Sequence, residues 1–299
     1  MFRTDQTTAV TSLPVPAAAG TPGYFTGGNP ATGQAATILD ADWLNMVQEE
    51  LMSILAAAGI SPSKTTYNQV LTAIQKVVTG QTSGRLINIQ FFAASATYTP
   101  TVGTTSIIVE GVGGGGGGGG CPACDSSHYA ASGGGASGTR ARTRLTAGFA
   151  GGVPVTIGAG GVGGAAGANA GTAGGTTSFG SLITFPGGNG SPAGVAVTSG
   201  TTLFSSAGSS GGNAIGSTNL ANVLGQGGGV GLASQVGLFG GAGGSNELGG
   251  GTTQVGPGTP GLAAGGWGGG GSGCTVAAGG GALAGGNGAS GYLLVFEYA

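Results

Sequence analysis

The residues with the most chemistry in this chain are its three cysteines and its single histidine. Cys121 and Cys124 stand in a CPAC stretch, His128 follows four positions on, and Cys274 lies far downstream. Together they could supply the four ligands of a tetrahedral zinc site. A structural zinc site ordinarily has a second spaced pair, whereas here the partner is one distant cysteine. A local C-x-x-C disulfide and free thiols in a loop are the alternatives, and no metal ligand is assigned. Asp125, Ser126, Ser127 and His128 contain the residue types of a hydrolytic triad, but a triad is a geometry that neighbours in a chain rarely achieve. A polar loop accounts for them. One histidine and nine carboxylates leave little material for paired acid–base chemistry, so the chain is expected to be no enzyme and to carry no cofactor. Matches to G-x-G-x-x-G are inevitable at this glycine content and carry no dinucleotide signal.

Two other patterns suit binding. Arg140, Arg142 and Arg144 alternate, which places them on one face of a strand. Their guanidinium groups are suited to bidentate contact with anions; the alternative is an edge strand kept soluble by charge. Trp267, in AAGGWGGGGSG, offers a large contact area at low entropy cost, or plugs a gap in packing.

The elements that must position these residues are unusual. Of 299 residues, 74 are glycine and 12 proline, a proportion usually read as low complexity. Disordered chains, however, combine low hydrophobicity with high net charge. This chain is 5% charged with a net charge of −2, and its mean hydropathy is positive. It is a chain that packs or aggregates. Collagen requires glycine at every third position throughout and abundant proline, and neither holds. Seven Lys and Arg give no basic footprint for nucleic acid. No stretch has the ~18–20 apolar residues of a membrane span. The first residues lack the basic and apolar regions of a signal peptide, so synthesis in the cytosol is expected.

Residues 1–39 are rich in Pro, Gly, Ala and Thr and predict an extended segment with little core. Residues 40–84 predict a helical hairpin. In its first helix Leu44, Val47, Leu51, Ile54 or Leu55, and Ala58 recur at helical spacing, with Asp40 as N-cap and Gly59 beyond the end. Trp43 docks the hairpin on a neighbour, and Met46 and Met52 are packing residues. In the second helix Thr66 and Gln69 form a capping-box pattern, Tyr67, Val70, Leu71, Ile74, Val77 and Val78 the apolar face, and Gly80 the close. Some forty residues bury little alone, so these faces are expected to meet copies of themselves or another protein. GQTSG, ending at Gly84, reads as a hinge.

Residues 85–299 predict a mainly β domain. Leu86 to Phe92 and Thr105 to Val112 read as a β-hairpin, and GYLLVFEYA as a closing strand. Between them glycine dominates, often with a period of three: Gly158, Gly161, Gly164 and Gly167; Gly237, Gly240 and Gly243; Gly285, Gly288 and Gly291. That period fits helices of the polyproline-II, or polyglycine-II, type, which have three residues per turn and no internal hydrogen bonds. Their amides must find partners in neighbouring runs, with the glycines themselves as the core and the intervening segments as short strands and loops at the ends.

Residues in PATGQAATILDADWLNMVQEELMSILAAAGISPSKTTYNQVLTAIQKVV resemble the N-terminal segment of phage tail fibre proteins: a Pro/Gly-rich lead, a D-W-x-N-x-V-Q-x-E-L helix, an AAGI break and a second helix. The remainder resembles the glycine-rich domain of many tail fibres. CPACDSSHYAASGGGASGTRARTRL departs from that pattern and marks Tyr129, with the arginines and Trp267, as a candidate receptor contact. The resemblance implies a homotrimeric fibre in the virion, attached to tail or baseplate proteins by its N-terminal portion. Its C-terminal domain would then face a bacterial surface receptor, glycan or outer-membrane protein; the arginines would suit lipopolysaccharide phosphates or sugar acids. A structural or adaptor fibre, whose receptor is bound by another protein, is the alternative.

Overall fold

The computed structural model describes residues 2–80, 84–216, 219–247 and 250–299, so most of the expected hinge, residues 81–83, lies outside the described residues. Among the described residues the fold is mainly β with two short α-helices, and the chain divides into two compact units, 1–83 and 84–299. No described helix is long and apolar enough to cross a membrane.

In the first unit, α1 spans Ala41–Ala57. The Asp40 carboxylate accepts the Trp43 N–H at 2.7 Å, satisfying one of the amides that every helix N-terminus leaves free. At the other end Gly59 adopts a φ of 61°. Its N–H donates to Ala56 O and that of Ile60 to Leu55 O, both at 2.9 Å, a paired closure that requires the left-handed conformation glycine tolerates best. Helix α2 spans Gln69–Gly80. The expected capping box does not form, because the Gln69 side chain has another task. Buried in the connection, it accepts the Ser63 N–H at 3.1 Å and donates to Ser61 O at 3.0 Å, while the Thr66 hydroxyl turns back to Ser63.

Leu55, Ala58 and Ala73 form the small core between the helices, with Ile54, Ile60, Val70 and Val77 packed around them. The apolar face expected for α2 is thus two stripes, one packed and one (Leu71, Ile74, Val78) exposed. Residues 2–39 form no helix and are exposed apart from half-buried Gly28, with a tight turn closed by the Asn29–Gln34 bridge. Arg3 forms a two-pronged ion pair with Glu49, Ala17 N–H donates to Asp42, and Phe25 meets Trp43 edge-on at 5.1 Å.

Among the described residues the second unit is built on two five-stranded antiparallel sheets. The first has the order Leu86–Phe92, Tyr292–Tyr298, Ser106–Val112, Arg140–Leu145, Asn219–Val223. The two segments expected to form a hairpin are therefore both present but do not pair; the closing strand lies between them and bonds to both. The cause lies in their connection, where Ala96–Tyr98 joins the second sheet by pairing with Val153–Thr156. Alternate residues of the first sheet (Ile107, Val109, Leu293, Val295) meet Tyr98, Val155, Phe179, Ile183 and Phe185 of the second in the main apolar core.

From Gly113 to Gly120 every residue is buried, and none has a positive φ. Their N–H groups turn to three neighbours in rotation. Gly113, Gly116 and Gly119 donate to Thr139, Ala136 and Gly133; Gly114, Gly117 and Gly120 to Gly175, Thr172 and Asn169; Gly115 and Gly118 to Ala289 and Gly286, all at 2.8–3.1 Å. The carbonyls serve other segments: Gly188, Ser191 and Gly194 donate to Gly114, Gly117 and Gly120, and Gly161 and Gly164 to Gly115 and Gly118. Gly285, Gly288 and Gly291, spaced by three, all donate to one neighbour, at Gly164, Gly161 and Gly158. Close approach is what demands glycine. A Cβ on Gly116, Gly117 or Gly118 would stand far under 3.0 Å from the carbonyl oxygen of Asn189, Val162 or Ser272.

Candidate functional site

The Arg140–Leu145 strand alternates as expected, with Ala141, Thr143 and Leu145 buried and the arginines on the opposite face. Arg140 and Arg142 are engaged by acidic and aromatic side chains of the same unit. Arg140 Nη2 lies 2.6 Å from Glu110 Oε1, and its Nη1 bonds Glu247. Arg142 sits 3.8 Å from the second Glu110 oxygen and 5.7 Å above the Phe296 ring. Burial works against the charge on Arg140, but Glu110 outweighs it and holds the guanidinium pKa above its usual value. Arg144 is exposed.

Trp267, 38% exposed, belongs to the same face. Its ring stands edge-on to Phe91 at 5.9 Å and tilted against Tyr292 at 6.0 Å, while its carbonyl accepts from Asn246 at 2.8 Å. Tyr292 is buried beneath it, and burial followed by the nearby Glu110 charge pushes its phenol pKa up. The Tyr292 hydroxyl and the Nε atoms of Arg140 and Arg142 are buried with no hydrogen-bond partner among the described residues. Arg140, Arg142 and Trp267 thus share one aromatic and charged face with Phe91 and Phe296. Tyr129 does not. It lies in the His128–Ala131 strand of a separate three-stranded sheet and packs near Ala131, Ala233 and Leu238.

Sequence reasoning missed Glu110, Glu247, Phe91 and Tyr292. A usable signal existed only for Glu110, the one charge in the apolar strand SIIVEGV.

Of the helical-hairpin candidates, Leu55, Ile54 and Val70 pack into the small core, while Val47 and Leu51 are half-buried. Trp43, Leu44, Tyr67, Leu71 and Ile74 are exposed.

The polar loop carries no relay. His128 Nδ1 lies 2.6 Å from Asp125 Oδ1, and Ser127 Oγ contacts both that oxygen, at 2.8 Å, and the same ring nitrogen, at 3.3 Å. A triad needs the hydroxyl and the carboxylate on opposite nitrogens. Hydrogen bonds from His128, then from Ser127, hold the Asp125 carboxyl down at about 2. Among the described residues no three His, Cys, Asp or Glu side chains come together as metal ligands. Cys121, Cys124 and Cys274 are free thiols in one apolar cluster with Ala130 and Val276.

Comparison with known proteins places only a short stretch. No protein-family profile matches the chain. It is 48% identical over 54 residues to the uncharacterized protein StfP of Escherichia coli K12, covering 18% of this chain and 26% of that one. It is also 48% identical over 58 residues to a Mu-like prophage FluMu defective tail fiber protein of Haemophilus influenzae Rd, covering 19% of this chain and 9% of that protein. The chain thus spans about a quarter or less of the length of these curated relatives. The similarity is to a segment of each, one of the two being a prophage tail fiber protein.

Proposed function

We propose that this chain is a bacteriophage tail fibre protein that acts by non-covalent binding and performs no catalysis. Residues 1–39 are the attachment segment, 40–84 the anchoring and trimerising hairpin, and 85–299 the domain presented to the bacterial surface. The carrying observation is the rotation of the Gly113–Gly120 amides among three neighbours. It supports reading the glycine runs as a bundle of polyglycine-II helices, each with three residues per turn and saturated by backbone bonds between runs. Such a bundle is a stiff platform, and loops on a stiff scaffold are where binding residues usually stand. The exposed residues Trp43, Leu44, Tyr67, Leu71 and Ile74 supply the unit 1–83 with apolar surface suited to tail proteins or to other copies of the chain.

The adaptor reading has one observation in its favour. Arg140 and Arg142 are already matched by Glu110 and Glu247, which leaves them less free for a receptor anion. Binding of the fluorescently labelled full chain to bacteria susceptible to the parent phage, and to resistant derivatives lacking its receptor, separates the two. A receptor-binding fibre labels only the susceptible cells, whereas an adaptor labels neither.

A further inference from the structure

We propose that Cys121 and Cys274 are the two halves of a latent disulfide that closes when the chain meets a disulfide-class oxidant. This inference is independent of the fibre reading. The C-x-x-C spacing directs attention to Cys121 and Cys124, but the packing of the glycine runs selects a different pair.

Gly113–Gly120 and the run leading to Cys274 lie side by side. A Cβ at Gly115 would meet Gly269 O, and one at Gly118 would meet Ser272 O, so the two runs advance together, three residues for three. Continued by one more step, that register brings Cys121 level with Cys274 and Thr275. Cys121 Sγ indeed stands 3.1 Å from Cys274 O. The Cys274 sulfur lies 3.3 Å from Leu283 O, the same oxygen that receives the Cys121 N–H at 2.9 Å. Both side chains are fully buried in one cluster. Each thiol is the leading influence on the other: Cys121 is pushed up and Cys274 held down, the latter helped by the Ser132 hydroxyl. Cys124, by contrast, points its sulfur back to Pro122 O at 3.8 Å.

With oxidised glutathione as the oxidant, the Cys274 thiolate attacks the glutathione S–S bond and releases one glutathione thiolate. Cys121 then attacks the Cys274 sulfur of the mixed disulfide and releases the second. Two S–H bonds and one S–S bond are lost. One protein S–S bond forms, and the two electrons and two protons leave in two glutathione thiols. Because both sulfurs are buried, exchange occurs while the chain folds or opens.

The test refolds the full chain from denaturant in a mixture of reduced and oxidised glutathione, caps free thiols, and maps tryptic peptides by mass spectrometry. Retained β-sheet circular dichroism confirms that each variant has folded. The expected result is a cross-link between the peptides carrying Cys121 and Cys274 that persists in Cys124→Ser and is absent from Cys121→Ser. A cross-link that persists in Cys121→Ser and is lost in Cys124→Ser overturns the proposal. So does a folded wild-type chain with all three thiols capped, or a link confined to Cys121 and Cys124.

Discussion

The Tyr98 hydroxyl donates to Glu297 Oε1 at 2.7 Å inside the main core, across 199 positions of sequence. Thr101 adds its N–H to that oxygen at 3.0 Å and its hydroxyl to the other at 2.6 Å, and Gln90 donates at 3.1 Å. A carboxylate with no exposure would ordinarily be driven neutral. Here burial does push the Glu297 pKa up, but the hydrogen bonds from Thr101 and Tyr98 outweigh it and hold the group below its usual range. The pair ties the closing strand of the first sheet to the Ala96–Tyr98 strand of the second.

That balance sets a pH dependence. The folded-state pKa is depressed, so its stabilisation is present above the unfolded value, about 4.3, and is lost as pH falls through the folded value. Glu297→Gln places an amide donor among four donors and is expected to cost about 1–3 kcal/mol at pH 7. Urea denaturation at pH 7 and pH 4 should show the wild type losing more stability between the two than the variant does.

Gly118→Ala sets a methyl group against the Ser272 carbonyl, a backbone atom with no freedom to step aside. The expected loss is about 3 kcal/mol, the upper end for overpacking. Gly151→Ala is the control. It meets nothing within 4 Å and needs no positive φ, so its denaturation midpoint should move by the equivalent of about 0.5 kcal/mol or less.

Arg140→Ala removes the closest partner of Glu110, whose side chain is only 11% exposed. Stranding that carboxylate should cost roughly 3 kcal/mol in thermal or urea denaturation. Arg140→Ala with Glu110→Gln should recover part of the loss, because the uncompensated charge is then gone.

Leu71 and Ile74 lie on the exposed stripe of α2, away from the Leu55–Ala73 core. Leu71→Ser with Ile74→Ser should leave the helical circular dichroism of the chain nearly unchanged. If this stripe joins the copies of a trimer, the same variant should sediment as a monomer where the wild type sediments as a trimer.

Local signals were legible in the sequence wherever one residue type has one backbone role. Asp40 and Gly59 bracket α1 as read, and Leu86–Phe92, Ser106–Val112 and Tyr292–Tyr298 form strands almost to the residue. Gly288 and Gly161, each in a run with a three-residue glycine period, are hydrogen-bonded neighbours, but the period does not say which run meets which. Pairing was not legible. The hairpin failed because Ala96–Tyr98 leaves for the other sheet, and the capping box because Gln69 serves a bend. The Arg140–Glu110 and Tyr98–Glu297 contacts depend on strand register, which no local pattern encodes. Cys124 drew attention by proximity in sequence, while the true neighbour of Cys121 is fixed by two glycine runs advancing in step.

The central claim is that Gly113–Gly120 are held by backbone hydrogen bonds to neighbouring runs. Amide hydrogen exchange on the full-length protein, followed by mass spectrometry, tests it most directly. Protection across 113–120 should match that of the Tyr292–Tyr298 strand, with residues 2–37 exchanging rapidly beside them. Exchange across 113–120 as fast as in residues 2–37 would contradict the account.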